Sequence, residues 1–223
     1  MAKEYVVKIL FIEFVTHNVK RFILEKPENY NYEEGQFTTL SINKDGLRDR
    51  KKPFSFVSLN SDLVLEFIIK IYKDHDGVTK ELDNLKAGDE LIIGEPLGNP
   101  IYKGDGVFIA GGTGITPFIS IFRKLKNENK IAGNKLIFSN KEWKDIIFER
   151  ELKDIFKENL VLVLTEEKRK PYEYGRINEN FLKKHIKDFK ENIYICGPPS
   201  FVNDINKYLI NLGASAEKIS LSI

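Results

Sequence analysis

VFIAGGTGITPFISIFRKLK, residues 107–126, is the stretch that decides the fold. It opens on the uninterrupted apolar run Val107–Ala110, passes through Gly111, Gly112 and Gly114, and continues with Ile115, Ile119, Phe122 and Leu125 at helical spacing. That order reads as a buried strand, a tight turn and an amphipathic helix. Glycines let the backbone turn sharply and come close to a ligand. Pro117 suits the first helical turn, where its missing N–H has no partner in any case, and Thr116 suits the cap. The amides of such a turn face the C-terminal edge of a parallel sheet, where an anion binds well. The spacing is not GxGxxG. Taken alone, the turn fits a ligand-free strand–helix junction as well as a dinucleotide site.

Downstream the same alternation repeats. KLIFS precedes a helix from about 142 to 156, LVLVLT a helix near 178–189, and NIYIC the helix FVNDINKYLINLG, closed by Gly213. Apolar strands alternating with amphipathic helices predict a parallel sheet covered on both faces. Upstream the rhythm differs. Short strand candidates at 5–12, 19–25, 36–42, 54–60, 63–71 and 89–94 are separated by turn residues such as Lys44-Asp45-Gly46 and Ala87-Gly88-Asp89. They predict an antiparallel barrel or sandwich. One short helix is expected at 78–85, with Val78, Leu82 and Leu85 on one face. The boundary falls where Pro and Gly cluster, near Pro96–Asp105, which gives domains 1–100 and 101–223.

The composition narrows the function classes. A chain of 223 residues suits two small domains. Lys and Arg number 35 against 33 Asp and Glu, a net charge of +2, which gives no basic stripe for nucleic acid. Cys196 is the sole cysteine, so this sequence forms no internal disulfide and holds no iron–sulfur cluster, which takes about four thiolates. His17, His75 and His185 lack metal-ligand spacing, so no metal is expected. The expected compartment is a reducing cytoplasm. The N-terminus carries Glu4 and Glu13 and no small-residue cleavage site, unlike a signal peptide. The uncharged run Gly106–Phe122 is short for a membrane span and is broken by glycines and Pro117.

In the first half, Lys52-Pro53-Phe54-Ser55-Phe56-Val57-Ser58 joins a basic residue, a proline, an aromatic and a hydroxyl on a candidate strand. Alternation would send Phe54, Phe56 and Ser58 to one face and Ser55 and Val57 to the other. By itself this fits a half-buried strand.

Five segments, in order, resemble the ferredoxin–NADP reductase superfamily: KKPFS (51–55), Gly77-Val78-Thr79-Lys80, GEPLGNP (94–100), GGTGITP (111–117) and Cys196-Gly197-Pro198-Pro199. They cover nearly the whole chain. The resemblance implies a six-stranded antiparallel barrel for FAD, followed by a Rossmann-like α/β domain for NAD(P)H. It also implies hydride transfer from nicotinamide C4 to flavin N5. Ser55 would lie beside flavin N5, and Phe54, after Pro53, would pack on the flavin in a position where Tyr is frequent. Lys52, where Arg is usual, would face the pyrophosphate as a point charge. Ile69 and Lys70 match positions lining the adenosine half, and Gly77, Val78 and Thr79 the phosphate turn. Gly112, Thr113, Gly114 and Thr116 match the dinucleotide turn, and Lys141 a position where many members carry Arg.

Cys196 reads either as a small buried strand residue or, with Gly197 and Pro198, as a group beside the nicotinamide. Thr165-Glu166 stands where NADPH-specific members carry Ser-Arg. A carboxylate there suits a ribose 2′-OH, whereas Lys168, Arg169 and Arg176 would suit a 2′-phosphate, and TEEKRK (165–170) also reads as a solvated loop. The chain ends Leu221-Ser222-Ile223, without the acid and aromatic with which members often end. The expected acceptor is a ferredoxin, a flavodoxin or a similar carrier. A free-flavin or ferric-complex reductase and an electron-transfer subunit of a larger complex stay open as alternatives.

Overall fold

The computed structural model describes residues 3–73, 77–99 and 101–222. His75, Pro100 and Ile223, named above, lie outside the described residues. The chain divides into two compact units: Met1–Pro100 with Thr116–Ile121, and Ile101–Ile115 with Phe122–Ile223.

In the first unit, β1 (Tyr5–Thr16), β2 (Val19–Glu25), β3 (Phe37–Ile42), β4 (Lys52–Ser55), β5 (Val64–Lys70) and β6 (Glu90–Ile93) form one antiparallel sheet in the order β4-β3-β6-β1-β2-β5. β1 works in two ladders. Tyr5–Lys8 pair with β6, and Ile9–Thr16 pair with β2 after a register shift between Ile9 and Phe11. The two end strands, β4 and β5, come into contact and close the barrel. Inward positions are apolar at period two: Phe22 and Leu24 on β2, Leu40 and Ile42 on β3, Leu65 and Phe67 on β5, Leu91 and Ile93 on β6, all fully buried. The short helix α1 (Val78–Glu81) and the 3-10 turn Leu82–Asn84 close the core with Val78, Leu82 and Leu85, the face read from the sequence.

β4 is shorter than the strand expected at 54–60. It ends at Ser55: Phe56 makes one last bond in the same register, and Val57 and Ser58 turn to Glu66 on β5. The Phe56 N–H donates to the Gln36 carbonyl at 3.1 Å, and the Val57 N–H to the Glu66 carbonyl at 2.9 Å. Ser58 Oγ accepts the Glu66 N–H at 3.0 Å. Phe56, Val57 and Ser58 are therefore all buried, and the alternation predicted for them stops. Tyr32 fixes this corner: its ring stacks on Phe56 at 4.0 Å and its hydroxyl donates to the Leu59 carbonyl at 2.9 Å.

Beyond residue 105, β7 (Gly106–Gly111), α2 (Thr116–Asn127), β8 (Lys135–Asn140), α3 (Glu149–Phe156), β9 (Leu160–Leu164), β10 (Glu173–Tyr174), α4 (Glu179–His185), β11 (Asn192–Cys196), α5 (Pro199–Asn211) and β12 (Ile219–Ser222) follow in chain order, all in the second unit except Thr116–Ile121 of α2. The six strands make a parallel sheet, β10-β9-β8-β7-β11-β12. One face buries Val107, Ile109, Ile137, Ile193 and Ile195 with Leu182, Ile205 and Leu209. At the cap Ile115 and on α2 at Ile119, Phe122 and Leu125 the side chains are buried, as the 3.6-residue spacing predicts. Phe122 meets Phe108 edge-on at 4.9 Å and Phe156 at 4.7 Å.

Three local expectations change. The helix expected from 142 to 156 is split. Glu142 and Asp145 form a capping box around the 3-10 turn Trp143–Asp145, and Phe148 takes a left-handed φ of 53° before α3 starts. α4 is capped by Asn178, whose side chain accepts the Phe181 N–H at 2.9 Å, and it ends at His185 where Ile186 becomes extended. Thr116 is the first residue of α2, and the cap position falls to Ile115.

Candidate functional site

In the barrel unit, β4 carries Lys52 and Pro53 exposed and Phe54 and Ser55 half-buried, with Phe54 opposite Thr38 and Ser55 opposite Phe37. At the end of β5, the Ile69 side chain lies in the barrel core, 1% exposed. It can therefore offer a ligand its backbone alone. Lys70 is half-buried, and its ammonium lies 5.7 Å from the Tyr72 ring. Gly77, extended at φ −136° and ψ 167°, precedes α1. The first intrahelical donor is the Lys80 N–H, bonded to the Gly77 carbonyl at 3.0 Å. The N–H groups of Val78 and Thr79 come before it, as the first-turn donors of a helix do. The buried Val78 side chain pins this turn to the core and fixes where those amides point.

In the second unit the two glycine-bearing motifs meet. β7 ends at Gly111, and Gly112–Ile115 make a 3-10 turn into α2. β11 pairs with β7 in register, Cys196 opposite Ala110, so Gly197 emerges beside that turn. A Cβ on Gly114 would stand 2.4 Å from the Cys196 carbonyl oxygen and 2.5 Å from the Gly197 nitrogen. A Cβ on Gly197 would strike the Phe201 ring at 2.7 Å, and the same ring lies 3.1 Å from the Cβ position of Gly111. Side chains at these positions would push the two turns apart. Gly112 has a left-handed φ of 55° with open space where its Cβ would be. Cys196 is buried and in no disulfide, and Pro199 starts α5 two residues after Gly197.

The outer half of the same sheet edge is built from the ends of β8, β9 and β10. The Thr165 N–H donates to the Asn140 carbonyl at 2.9 Å, and the Glu166 N–H to the Lys141 carbonyl at 3.0 Å. The Lys141 ammonium pairs with the Glu166 carboxylate at 3.0 Å, both side chains being mostly exposed. That carboxylate raises the lysine's pKa. Arg176, exposed, follows β10 at the same edge. Arg169 is turned elsewhere: its guanidinium lies 4.3 Å over the Trp143 ring and 3.5 Å from Glu167.

One residue at this edge escaped the sequence reading. Asn140 ends β8 next to Lys141, is 5% exposed, and leaves both side-chain amide atoms buried without a partner. Such a group costs roughly 1–3 kcal/mol, which concentrates at places with a reason for it. An asparagine at a strand end reads as an ordinary turn residue, so nothing in the sequence marked it. Glycine turns with no room for side chains, an open left-handed Gly112 and an orphaned buried amide together suit an elongated polar ligand along the C-terminal edge of the sheet. The turn at Gly77 suits an anion on the barrel.

Among the described residues, no group of His, Cys, Asp and Glu is placed to hold a metal ion, and no helix is long and apolar enough to cross a membrane.

Residues 7–102 match the oxidoreductase FAD-binding domain family, and residues 108–207 the oxidoreductase NAD-binding domain family. The chain is 28% identical over 240 residues to NADH-cytochrome b5 reductase 3 of Rattus norvegicus, covering 89% of this chain and 79% of that protein. It is 28% identical over 207 residues to the glycine betaine monooxygenase reductase subunit of Chromohalobacter salexigens, covering 86% of this chain and 56% of that one. In fold it matches the ferredoxin NADP+ reductase from Neisseria gonorrhoeae, solved with bound FAD and NADP. The TM-score is 0.87 at 22% identity, over 100% of this chain and 99% of that chain. With both domain families matched in order and the barrel and parallel sheet each in place, the chain belongs to the ferredoxin–NADP reductase superfamily and is an NAD(P)H-dependent flavoprotein oxidoreductase.

Proposed function

We propose that this reductase takes electrons from NADH and hands them through FAD to a separate one-electron carrier protein. The observation that carries the reading is the seating of the Gly111–Gly114 turn on the Cys196–Gly197 peptide, which leaves a side-chain-free surface at the sheet edge. FAD, when bound, supplies the chemistry of accepting a hydride and returning electrons one at a time. The chain's own residues bind and orient. On the barrel, Lys52, Pro53, Phe54 and Ser55 hold the flavin, and the backbone of Ile69 and Lys70 with the Gly77–Thr79 turn holds the adenosine and pyrophosphate. On the sheet, Gly112, Thr113, Gly114 and Thr116 bind the dinucleotide pyrophosphate, and Cys196, Gly197 and Pro198 the nicotinamide end. Thr165, Glu166, Lys141 and Arg176 surround the adenosine ribose, and Glu166 sets the preference for NADH.

Residues 1–223, with Cys196 alone, cannot ligate an iron–sulfur cluster, so an iron–sulfur acceptor would lie outside them. Relatives differ in what they serve, one named for cytochrome b5 and one for a monooxygenase, so the acceptor is assigned by class alone. The test is the visible spectrum of the purified protein, its bleaching by NADH and by NADPH without oxygen, and its reoxidation by cytochrome b5, ferredoxin or flavodoxin. A yellow protein bleached by NADH and reoxidised by one of these proteins is expected. Reoxidation by ferric complexes or free flavin but by none of the proteins would replace the carrier reading with a small-molecule one.

A further inference from the structure

β9 is an edge strand over half its length. β8 covers its inner side from Leu160 to Leu164, but β10 covers its outer side only at Val163 and Leu164. The ladder fixes which groups are left. Thr165 bonds inward to Asn140, and the Leu164 carbonyl bonds outward to the Gly175 N–H at 2.9 Å. Backbone groups alternate sides along a strand, so the Leu162 N–H and the Leu160 carbonyl also point outward, beyond the reach of β10. The chain cannot fill this slot itself. Extending the register by two residues would set Pro171 opposite Val161, and proline has no N–H to give the Leu160 carbonyl. The chain turns away there, with the Tyr172 N–H bonded to the Arg169 carbonyl at 3.0 Å.

A groove of about 380 Å³ lies along this open edge, and its charged lining is Lys135, Lys153 and Lys157 with the carboxylates Glu158 and Glu173. Glu173 pairs with Lys184 at 2.5 Å and Lys153 with Glu149 at 2.6 Å, which leaves Lys135 and Lys157 as the groove's cations, beside Glu158. Lys135 is half-buried, and its ammonium donates to the His185 carbonyl at 2.7 Å, with Glu191 acting on it electrostatically. Burial, with the Lys187 charge nearby, lowers its pKa, so an anion beside it would be welcome. The groove lies at the opposite end of β9 from Thr165 and Glu166, so an occupant would leave the dinucleotide edge clear.

We propose that the open edge of β9 at Leu160–Leu162 is a docking site for an extended acidic peptide segment of a partner protein, which adds to the sheet as a strand. Its backbone takes the Leu160 carbonyl and the Leu162 N–H, and its carboxylates meet Lys135 and Lys157. The uncovered edge is three residues, about 10 Å of strand, so the site anchors a short segment and its charges set the choice of partner.

The probe is a dye-labelled eight-residue peptide alternating glutamate and valine with blocked ends, titrated into the FAD-loaded protein and read by fluorescence anisotropy. Saturable binding below roughly 1 mM at low salt is expected. Lys157→Glu should weaken it at least about tenfold while leaving flavin bleaching by NADH unchanged, and Lys135→Gln should weaken it independently. The same peptide with alternate amides N-methylated should not bind, because strand addition needs those N–H groups. Absence of saturable binding would overturn the proposal: the lysines would then be guards that keep an open edge from pairing. Equal binding of the N-methylated peptide would overturn it in favour of charge alone. Self-association of the protein that excludes the peptide would give the edge to a second copy of this chain.

Discussion

Gly114 lies against the carbonyl of Cys196 so closely that a methyl group on it would stand 2.4 Å from that oxygen. Neither partner is a flexible side chain tip. The contact is backbone on backbone, and it locks two motifs about eighty residues apart in sequence into one turn surface. Gly114→Ala must therefore separate β7 from β11 at their ends. The expected cost is about 1–3 kcal/mol of stability. Binding of nicotinamide dinucleotide, followed by calorimetry, should weaken by at least about tenfold while FAD stays bound. Gly112→Ala is the contrast: its Cβ meets nothing, and the left-handed φ alone should cost about 1–2 kcal/mol. Equal dinucleotide affinity in Gly114→Ala and wild type would show that the turn is not the binding surface.

The Lys141–Glu166 pair decides the second prediction. Both side chains are mostly exposed, so the pair contributes little to stability. Its effect falls on whatever approaches the edge. A ribose 2′-phosphate would meet the Glu166 carboxylate, whereas a 2′-OH can donate to it. Glu166→Arg should shift kcat/KM toward NADPH by at least about tenfold, or about 1.4 kcal/mol. Lys141→Ala should move preference the other way, since it removes a cation that could serve the phosphate. An unchanged NADH/NADPH ratio in both variants would place discrimination elsewhere, with Arg176 as the next residue to change.

Ser55→Ala tests the flavin strand. Ser55 is half-buried on β4 and pairs with Phe37, so the loss of its hydroxyl should leave the ladder intact. Reduction of the flavin by NADH, followed by rapid mixing, should slow by roughly tenfold to a thousandfold, the range for one positioned hydrogen bond in a reaction centre. Wild-type speed would remove Ser55 from the mechanism.

Tyr30 predicts an alkaline limit for the barrel. Its hydroxyl donates to the Gly94 carbonyl at 2.7 Å, and burial raises its pKa to about 12. The folded pKa is above the unfolded value, near 10. The stabilisation is therefore complete below pH 10 and is lost as pH rises through the folded value. Between about pH 9 and 12, the unfolding free energy of wild type from urea titrations should fall faster than that of Tyr30→Phe, by on the order of 2 kcal/mol. At neutral pH the variant should cost about 1 kcal/mol, because Thr38 still donates to the Gly94 carbonyl at 2.9 Å. Parallel curves would assign the alkaline loss to other groups.

The parts of this fold that periodicity writes were legible in the sequence. Ile115, Ile119, Phe122 and Leu125 could be placed on the buried face of α2 and its cap, and Val78, Leu82 and Leu85 on the barrel plug, because apolar spacing is set by burial. What stayed hidden was settled by partners far away in the chain. β4 stops at Ser55 because Val57 and Ser58 bond to Glu66 on β5, and a strand pattern says nothing of who pairs with it. β10 has two residues and β12 begins with Ile-Ser-Leu, too short to show a period. Within the candidate site, the glycine turns were visible because glycine has a conformational reason to be where it is. Asn140 was not, since a buried amide without a partner differs from a solvated one only in three dimensions. Ile69 matched a ligand-lining position by sequence, yet its side chain belongs to the core.

The divided duty of β1 also bears on how the molecule is made. Its second half finds β2 across a two-residue turn, a hairpin that can close once β2 has been made. Its first half must wait for β6, whose partner residues lie at 90–93. During synthesis the hairpin therefore hangs with Tyr5–Lys8 unpaired until most of the barrel unit has emerged, and the non-local β1–β6 ladder should set the pace of its closure. A nascent chain cut after β5 would hold every strand but one and still have no closed barrel.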